Sequence, residues 1–248
     1  MDRTSPKSIY SRPASAVIAL FCLSASLFSR PAAAVASGPP EEKEKARVEE
    51  AARVLHEMLS QADFDIPAGL VEKSAALAVI PDVIKAAFFI GGRHGRGVVV
   101  RRHADGSWSP PCFITLTGGS AGWQVGVEST DVLLVFRTVR SVENLARGKF
   151  TLGADAGIAV GPQGRQAEAG TDAELKAEVY SYSRSRGLYV GLSLQGASLR
   201  IDREANGNFY GVKGLETEDI LAGRVPAIPP AVAKLRAELA RFVKAGRR

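Results

Sequence analysis

The sequence predicts an α+β fold: a glycine-rich antiparallel β-sheet, arranged as a sandwich or partial barrel, flanked by N-terminal and C-terminal helices. Three observations carry that prediction. From about residue 86 to residue 201 the apolar residues recur at every second position in short runs, the spacing of strands with one buried face. Those runs are separated by Asp105-Gly106, Pro110-Pro111, Gly118-Gly119 and Gly161-Pro162, turn signals that suit antiparallel neighbours. On either side, at 41–61 and 231–245, the apolar spacing changes to three and four, the period of an amphipathic helix.

Residues 1–36 are expected to lie outside the fold. Arg3, Lys7 and Arg12 precede an apolar stretch from Ala14 to Phe28, and Ala32-Ala33-Ala34 or Ala34-Val35-Ala36 supplies the small-x-small pattern of a signal peptidase site. The stretch is shorter than the ~20 residues that span a bilayer, so it reads as a cleaved secretory signal. Cys22 follows Phe21 in mid-stretch, without the small residue that lipidation requires directly before the cysteine. Removing the signal leaves Cys112 as the one cysteine, which excludes an internal disulfide. Half of the formal charge of +6 also belongs to the signal. The mature chain is therefore mildly basic: nucleic acid is not an expected partner, whereas an anionic membrane surface is.

Residues 37–65 are a linker followed by the first helix, Glu41 to Gln61, with Val48, Ala51, Ala52, Leu55, Met58 and Leu59 as its apolar stripe and docking onto the domain as its expected use. The β-rich domain occupies 66–225. A second helix starts near Pro67 and runs through Gly69 to Ala76, then gives way to an apolar segment ending at Pro81. Strands are expected at Phe88–Ile90, Gly97–Arg102, Phe113–Thr117, Trp123–Val127, Val132–Arg137, Gly157–Val160, Ala177–Tyr182, Leu188–Leu194 and Ala197–Ile201. Short helices fit Val142–Arg147, with Ser141 as N-cap and Gly148 beyond it, and Glu218–Ala222 before Gly223. Residues 226–248 close the chain with a basic amphipathic helix from Ala231 to Ala245, its stripe made by Val232, Leu235, Leu239, Phe242 and Val243. Packing over the sheet is its expected role and membrane contact the alternative.

The residues that carry chemistry are few. Gly118-Gly119-Ser120-Ala121-Gly122 fits the G-x-S-x-G pattern, but the nucleophile elbow opens a helix and needs a downstream histidine, and none follows His103. Serine hydrolysis at Ser120 is the remote alternative, and no enzyme activity is expected. His56, His94, His103 and Cys112 show no ligand spacing, so no metal and no cofactor is implied, and Cys112 reads as a small buried hydrophobe. What remains is arginine in turns. Arg93 and Arg96 precede Val98, Arg101 and Arg102 follow it, and Arg184 and Arg186 enter the strand that starts at Leu188, where Gly187 and Gly191 leave space beside the backbone. Each basic residue near an anionic bilayer contributes ~1 kcal/mol, so charge alone binds weakly. A lipid binder also needs a pocket, an inserted apolar element or several copies.

Several stretches in order, GRGVVV (Gly95–Val100), DGSWSPP (Asp105–Pro111), WQVGVE ending at Glu128, TDVLLVF (Thr130–Phe136), TLGADAGIAVGPQGR (Thr151–Arg165), YSYSRSRGLYVGLSLQG (Tyr180–Gly196) and NGNFYG (Asn206–Gly211), resemble the SYLF family of lipid-binding domains. The resemblance runs from about Ile66 to Gly223. It implies binding to membrane phospholipids, phosphoinositides in eukaryotic members, some of which also touch the actin machinery. No enzymatic activity transfers from the family, and no SH3 or FYVE module is expected in this chain. On that basis Arg184 and Arg186 are the expected headgroup contacts, with Arg93, Arg96, Arg101 and Arg102 in support and Gly187 and Gly191 admitting the headgroup. The expectation is an exported, periplasmic or secreted, peripherally membrane-associated binder of anionic phospholipid. A structural or protein-interaction module of the cell envelope is the alternative.

Overall fold

Helix α1 (Pro40–Ser60) turns Val48, Ala51, Ala52, Val54, Leu55 and Met58 into the core, as its periodicity requires, and leaves Leu59 half-buried at the rim. The computed structural model describes residues 40–61, 66–88, 90–121, 126–161, 176–185, 188–189 and 191–245. After α1 come α2 (Ala68–Glu72), β1 (Ala76–Phe88), β2 (Ile90–Arg101), β3 (Cys112–Ala121), β4 (Gly126–Phe136) and α3 (Val139–Ala146). Then follow β5 (Lys149–Thr151), β6 (Ile158–Val160), β7 (Val179–Ser185), β8 (Leu188–Tyr189), β9 (Ser198–Ile201), α4 (Arg203–Tyr210), α5 (Thr217–Leu221) and α6 (Val232–Ala245).

The strands join into one curled sheet, a half-barrel in the order β5-β9-β3-β2-β1-β4-β7-β6, with β8 paired to β7. This is the α+β class that the sequence predicts. Every pairing is antiparallel except β6 with β7, so the sheet is mixed rather than wholly antiparallel. The connection from Val160 to Val179 exceeds the dozen or so residues that a parallel crossover needs.

Strand β1 corrects the sequence reading. Its apolar run does not end at Pro81, and the preceding helix does not reach Ala76. Helix α2 stops at Glu72, and Ala76 is already paired with Arg101 on one side and Phe136 on the other. Being central, β1 buries Ala76 to Ile80 on both faces, which removes the alternation that marks a strand. It bends where Pro81 and Asp82 shift the register with both neighbours, and Asp82 takes a left-handed φ of 45°. Proline has no N–H to give a ladder and is tolerated at such a bulge.

The bend needs room on β2, and glycine supplies it. A Cβ at Gly97 would stand 2.2 Å from the Val79 carbonyl oxygen, and one at Gly95 would stand 2.8 Å from the side chains of Ile80 and Val83.

Three further differences are local. The expected strand Leu188–Leu194 is reduced to Leu188–Tyr189, which pairs with Ser185 and Arg184 of β7, while the same edge of β7 is occupied farther along, at 179–181, by β6. The N-cap of α3 is Thr138, whose hydroxyl accepts from the Ser141 N–H at 3.2 Å, so the helix starts before the expected Ser141. Strand β5 and helix α4 were not expected. In α4 Asp202 caps the helix by accepting from Ala205 N–H, and Phe209 packs edge-on against Phe113 at 5.0 Å.

Helices α1, α2 and α6 lie over one face of the sheet. The stripe of α6, Val232, Leu235, Leu239 and Phe242, is buried, with Phe242 against Trp108. Helix α3 and the segment 191–197 lie over the other face, where Leu194 and Ala197 are buried. If the missing Cβ at Gly97 sets the bend, Gly97→Ala lowers unfolding free energy by about 3 kcal/mol in a urea titration. Gly119→Ala, whose Cβ meets nothing within 4 Å, changes it by less than about 0.5 kcal/mol.

Candidate functional site

Strand alternation divides the arginines of β2 between the two faces. Arg96 and Arg102 lie on the face beneath α1, α2 and α6, and Arg93 and Arg101 on the other. Each then meets a different environment. Arg102 donates to the carbonyls of Val71 and Glu72 at 3.0 and 3.2 Å and lies 5.8 Å from the Trp108 ring, so it closes the C-terminal end of α2. Arg101 is half-buried beside a cleft of about 270 Å³, where Glu143, Arg147 and Glu218 are its charged neighbours.

Arg96 is exposed near the buried Glu44 of α1. Burial raises the Glu44 carboxyl above its usual range, and Arg47 and Arg96 partly offset that. Arg47 in turn pairs with Glu44 and Asp202 at 3.1 Å each and covers the Phe113 ring, locking α1 to α4.

Arg93 differs from these. Its Nη1 donates to the Ser193 carbonyl at 2.7 Å, its Nε is buried without an acceptor among the described residues, and no carboxylate there lies within ion-pair distance. Burial alone lowers its pKa. A partly desolvated cation with no counter-charge is unfavourable, and an anion brought beside it would be held strongly.

Arg184 points inward. It stands opposite Asp131 in the β4–β7 register, its Nη2 is 2.7 Å from Asp131 Oδ2, and it also pairs with Glu57 of α1, which Arg53 shares. Its side chain is only 10% exposed. Asp131 additionally accepts from the Asp82 N–H at 3.1 Å, so one guanidinium ties α1, β4, β7 and the bend of β1 together. Burial works to raise the Glu57 carboxyl, but hydrogen bonds from Arg53 and Arg184, with their charges, hold it below the usual range. Arg186 and Gly187 lie outside the described residues. Gly191 is exposed and open, with Val160 the nearest atom to a would-be Cβ at 3.9 Å.

The expected cations therefore do not form one cluster. Arg93 and Arg96 approach the same end of the sheet from opposite faces, Arg101 and Arg102 sit toward its other end, and Arg184 is neutralised internally. Sequence reasoning missed Glu57 and Asp131 as its partners, and no local signal links residues that far apart.

Ser120 lies inside β3 opposite Gly91, not on a strand-to-helix turn. Cys112 is fully buried, accepts from the Asn206 amide at 3.4 Å, and has its thiol pushed up to about 12 by burial. Among the described residues no His, Cys, Asp and Glu group could hold a metal, and no helix is long and apolar enough to cross a membrane.

A family model described as Las17-binding protein actin regulator matches residues 117–242, from β3 through most of α6. Protein YSC84 of Saccharomyces cerevisiae is 38% identical over 195 residues, which cover 75% of this chain and 41% of that protein. SH3 domain-containing YSC84-like protein 1 is 38% identical over 188 residues in Mus musculus, covering 73% of this chain and 55% of that protein. The Homo sapiens protein is 37% identical over 188 residues, covering 73% and 54%. The chain thus spans about half the length of these relatives.

Removing the buried cation while leaving its carboxylates separates structure from binding. Arg184→Ala is expected to cost about 3–5 kcal/mol in chemical denaturation, because Asp131 is left buried and uncompensated. The depressed Glu57 carboxyl contributes stability that is present above the unfolded value of about 4.3 and is lost as pH falls through the lower folded value. Glu57→Gln should accordingly flatten the acid limb of a stability-versus-pH curve, measured by denaturant midpoints.

Proposed function

The chain belongs to the Ysc84 (SYLF) family, and from that membership we propose that it is a non-enzymatic binder of anionic phospholipid at a membrane surface, exported to the periplasm or beyond. The observation that carries this reading is Arg93, half-buried at one end of the sheet, whose Nε has no acceptor and whose guanidinium has no carboxylate partner among the described residues. A phosphate oxygen is the natural acceptor for such a group. The headgroup contacts proposed are thus Arg93 with Arg96, while Arg184 serves the core that presents them. Arg186 and Gly187 keep the role that the family resemblance implies for them.

A second reading follows from the relatives' names, which describe a Las17-binding protein and SH3 domain-containing proteins. Under it the chain is a protein-interaction module of the cell envelope. The outer face of α6, with Lys234, Arg236 and Arg241, offers the charged surface for such a partner.

Co-sedimentation distinguishes them. The protein is expected to pellet with vesicles of phosphatidylcholine and phosphatidylglycerol but not of phosphatidylcholine alone, and Arg93→Glu should weaken the binding about tenfold or more. Equal pelleting with both vesicles, or full binding by a folded Arg93→Glu protein, would overturn the lipid reading. A partner lost on charge reversal of Lys234, Arg236 and Arg241, with vesicle binding intact, would favour the second.

A further inference from the structure

The cleft beside Arg101 is walled by charge and floored by hydrocarbon. Arg101 at the end of β2, Glu143 of α3, Arg147 at the C-cap of α3 and Glu218 of α5 line its sides, and the buried side chains of Val142, Ala146 and Leu221 form its floor. Its volume of about 270 Å³ lies just under the ~300 Å³ at which pockets for drug-sized ligands begin, so it suits a smaller molecule.

Two cations and two anions share this space without neutralising one another. None of the four side chains makes a hydrogen bond or an ion pair with another described residue. Elsewhere on the same two helices the charges do pair: Arg140 of α3 reaches Glu178 at 3.0 Å, and Asp219 of α5 holds Arg224 at 2.6 Å. Glu143 and Arg147 stand four residues apart, the spacing at which a helical acid and base normally close on each other, yet both border the cleft unpaired.

Arg101 is the least exposed of the four, half-buried where β2 ends, and Ser109 takes only its backbone N–H. A guanidinium so placed offers a fork of donors to a carboxylate. The two glutamates offer acceptors to an ammonium group. A ligand of one sign would meet two walls that repel it, whereas a ligand carrying both signs satisfies all four. The floor has no polar side chain, so the part of the ligand that lies on it is apolar.

We propose that this cleft binds a free amino acid with an aliphatic side chain. Its carboxylate lies against Arg101 and Arg147, its ammonium against Glu143 and Glu218, and its side chain on Val142, Ala146 and Leu221. The site is independent of the lipid reading, and its failure leaves that reading standing.

Isothermal titration calorimetry of the full chain tests this with L-leucine as the probe. Saturable binding is expected, and it should be about tenfold weaker or more for N-acetyl-L-leucine, which lacks the ammonium, for L-leucinamide, which lacks the carboxylate, and for glycine, which lacks the side chain. Arg101→Gln should weaken L-leucine about tenfold and bring it level with L-leucinamide, and Glu218→Gln should bring it level with N-acetyl-L-leucine, because each variant removes the partner of the group that the analogue lacks. Misfolding alone would weaken every ligand together, so the levelling separates lost contacts from lost structure.

Arg147→Gln and Glu143→Gln, at exposed positions, should act in the same two directions, and Lys213→Gln, outside the cleft, should leave binding unchanged. Absence of saturable L-leucine binding overturns the proposal. Equal binding of L-leucine and either charge-deficient analogue to the unaltered chain overturns it too, since the cleft would then serve a lone anion or cation. L-leucine affinity untouched by both Arg101→Gln and Glu218→Gln would place the ligand elsewhere and overturn it as well.

Discussion

The bend of β1 at Pro81 and Asp82 is the constraint on which the rest of the structure depends. A central strand that turns this sharply must find empty volume beside it, and β2 provides it by having glycine at 95 and 97. The bend leaves the Asp82 N–H outside the ladder, and Asp131 receives it. Asp131 would then be a buried anion without compensation, were Arg184 not opposite it on β7. Arg184 reaches on to Glu57, and so the position of α1 follows from the same irregularity. The chain of necessity runs from a proline in a strand to a helix docked across the sheet.

Much of this was legible in the residues and some was not. The stripe of α1 and the stripe of α6 follow from periodicity, because each helix buries one face only. Strands around Phe113, Val132 and Ser198 were visible for the corresponding reason at period two. Strand β1 was not, since burial on both faces erases alternation. The segment after Leu188 alternates well and still leaves the sheet, with β6 on the same edge of β7 farther along. The faces of the β2 arginines could be counted off the chain, but which of those charges meets a carboxylate could not.

That distinction governs how the cations should be valued. Arg184 belongs to the most conspicuous motif of the sequence, yet its charge is spent between two acids. Arg93, in a glycine run, donates to the Ser193 carbonyl and meets no carboxylate among the described residues. The family model begins at residue 117, in β3, so β1 and β2, which build the bend and carry Arg93, precede the matched segment. The curved frame and the cation at its end are therefore contributed jointly by the two halves of the chain.

The sheet ends in two very short strands, β5 and β6, of three residues each. An exposed edge is a template onto which another chain can add, and its reach grows with its length. Three residues offer too few ladder bonds to hold a stranger's strand against thermal motion. Among the described residues, a large sheet built from glycine and valine is thus protected at its margins from stacking into fibres, and copies gathered at high local density on a surface can stay separate folded molecules.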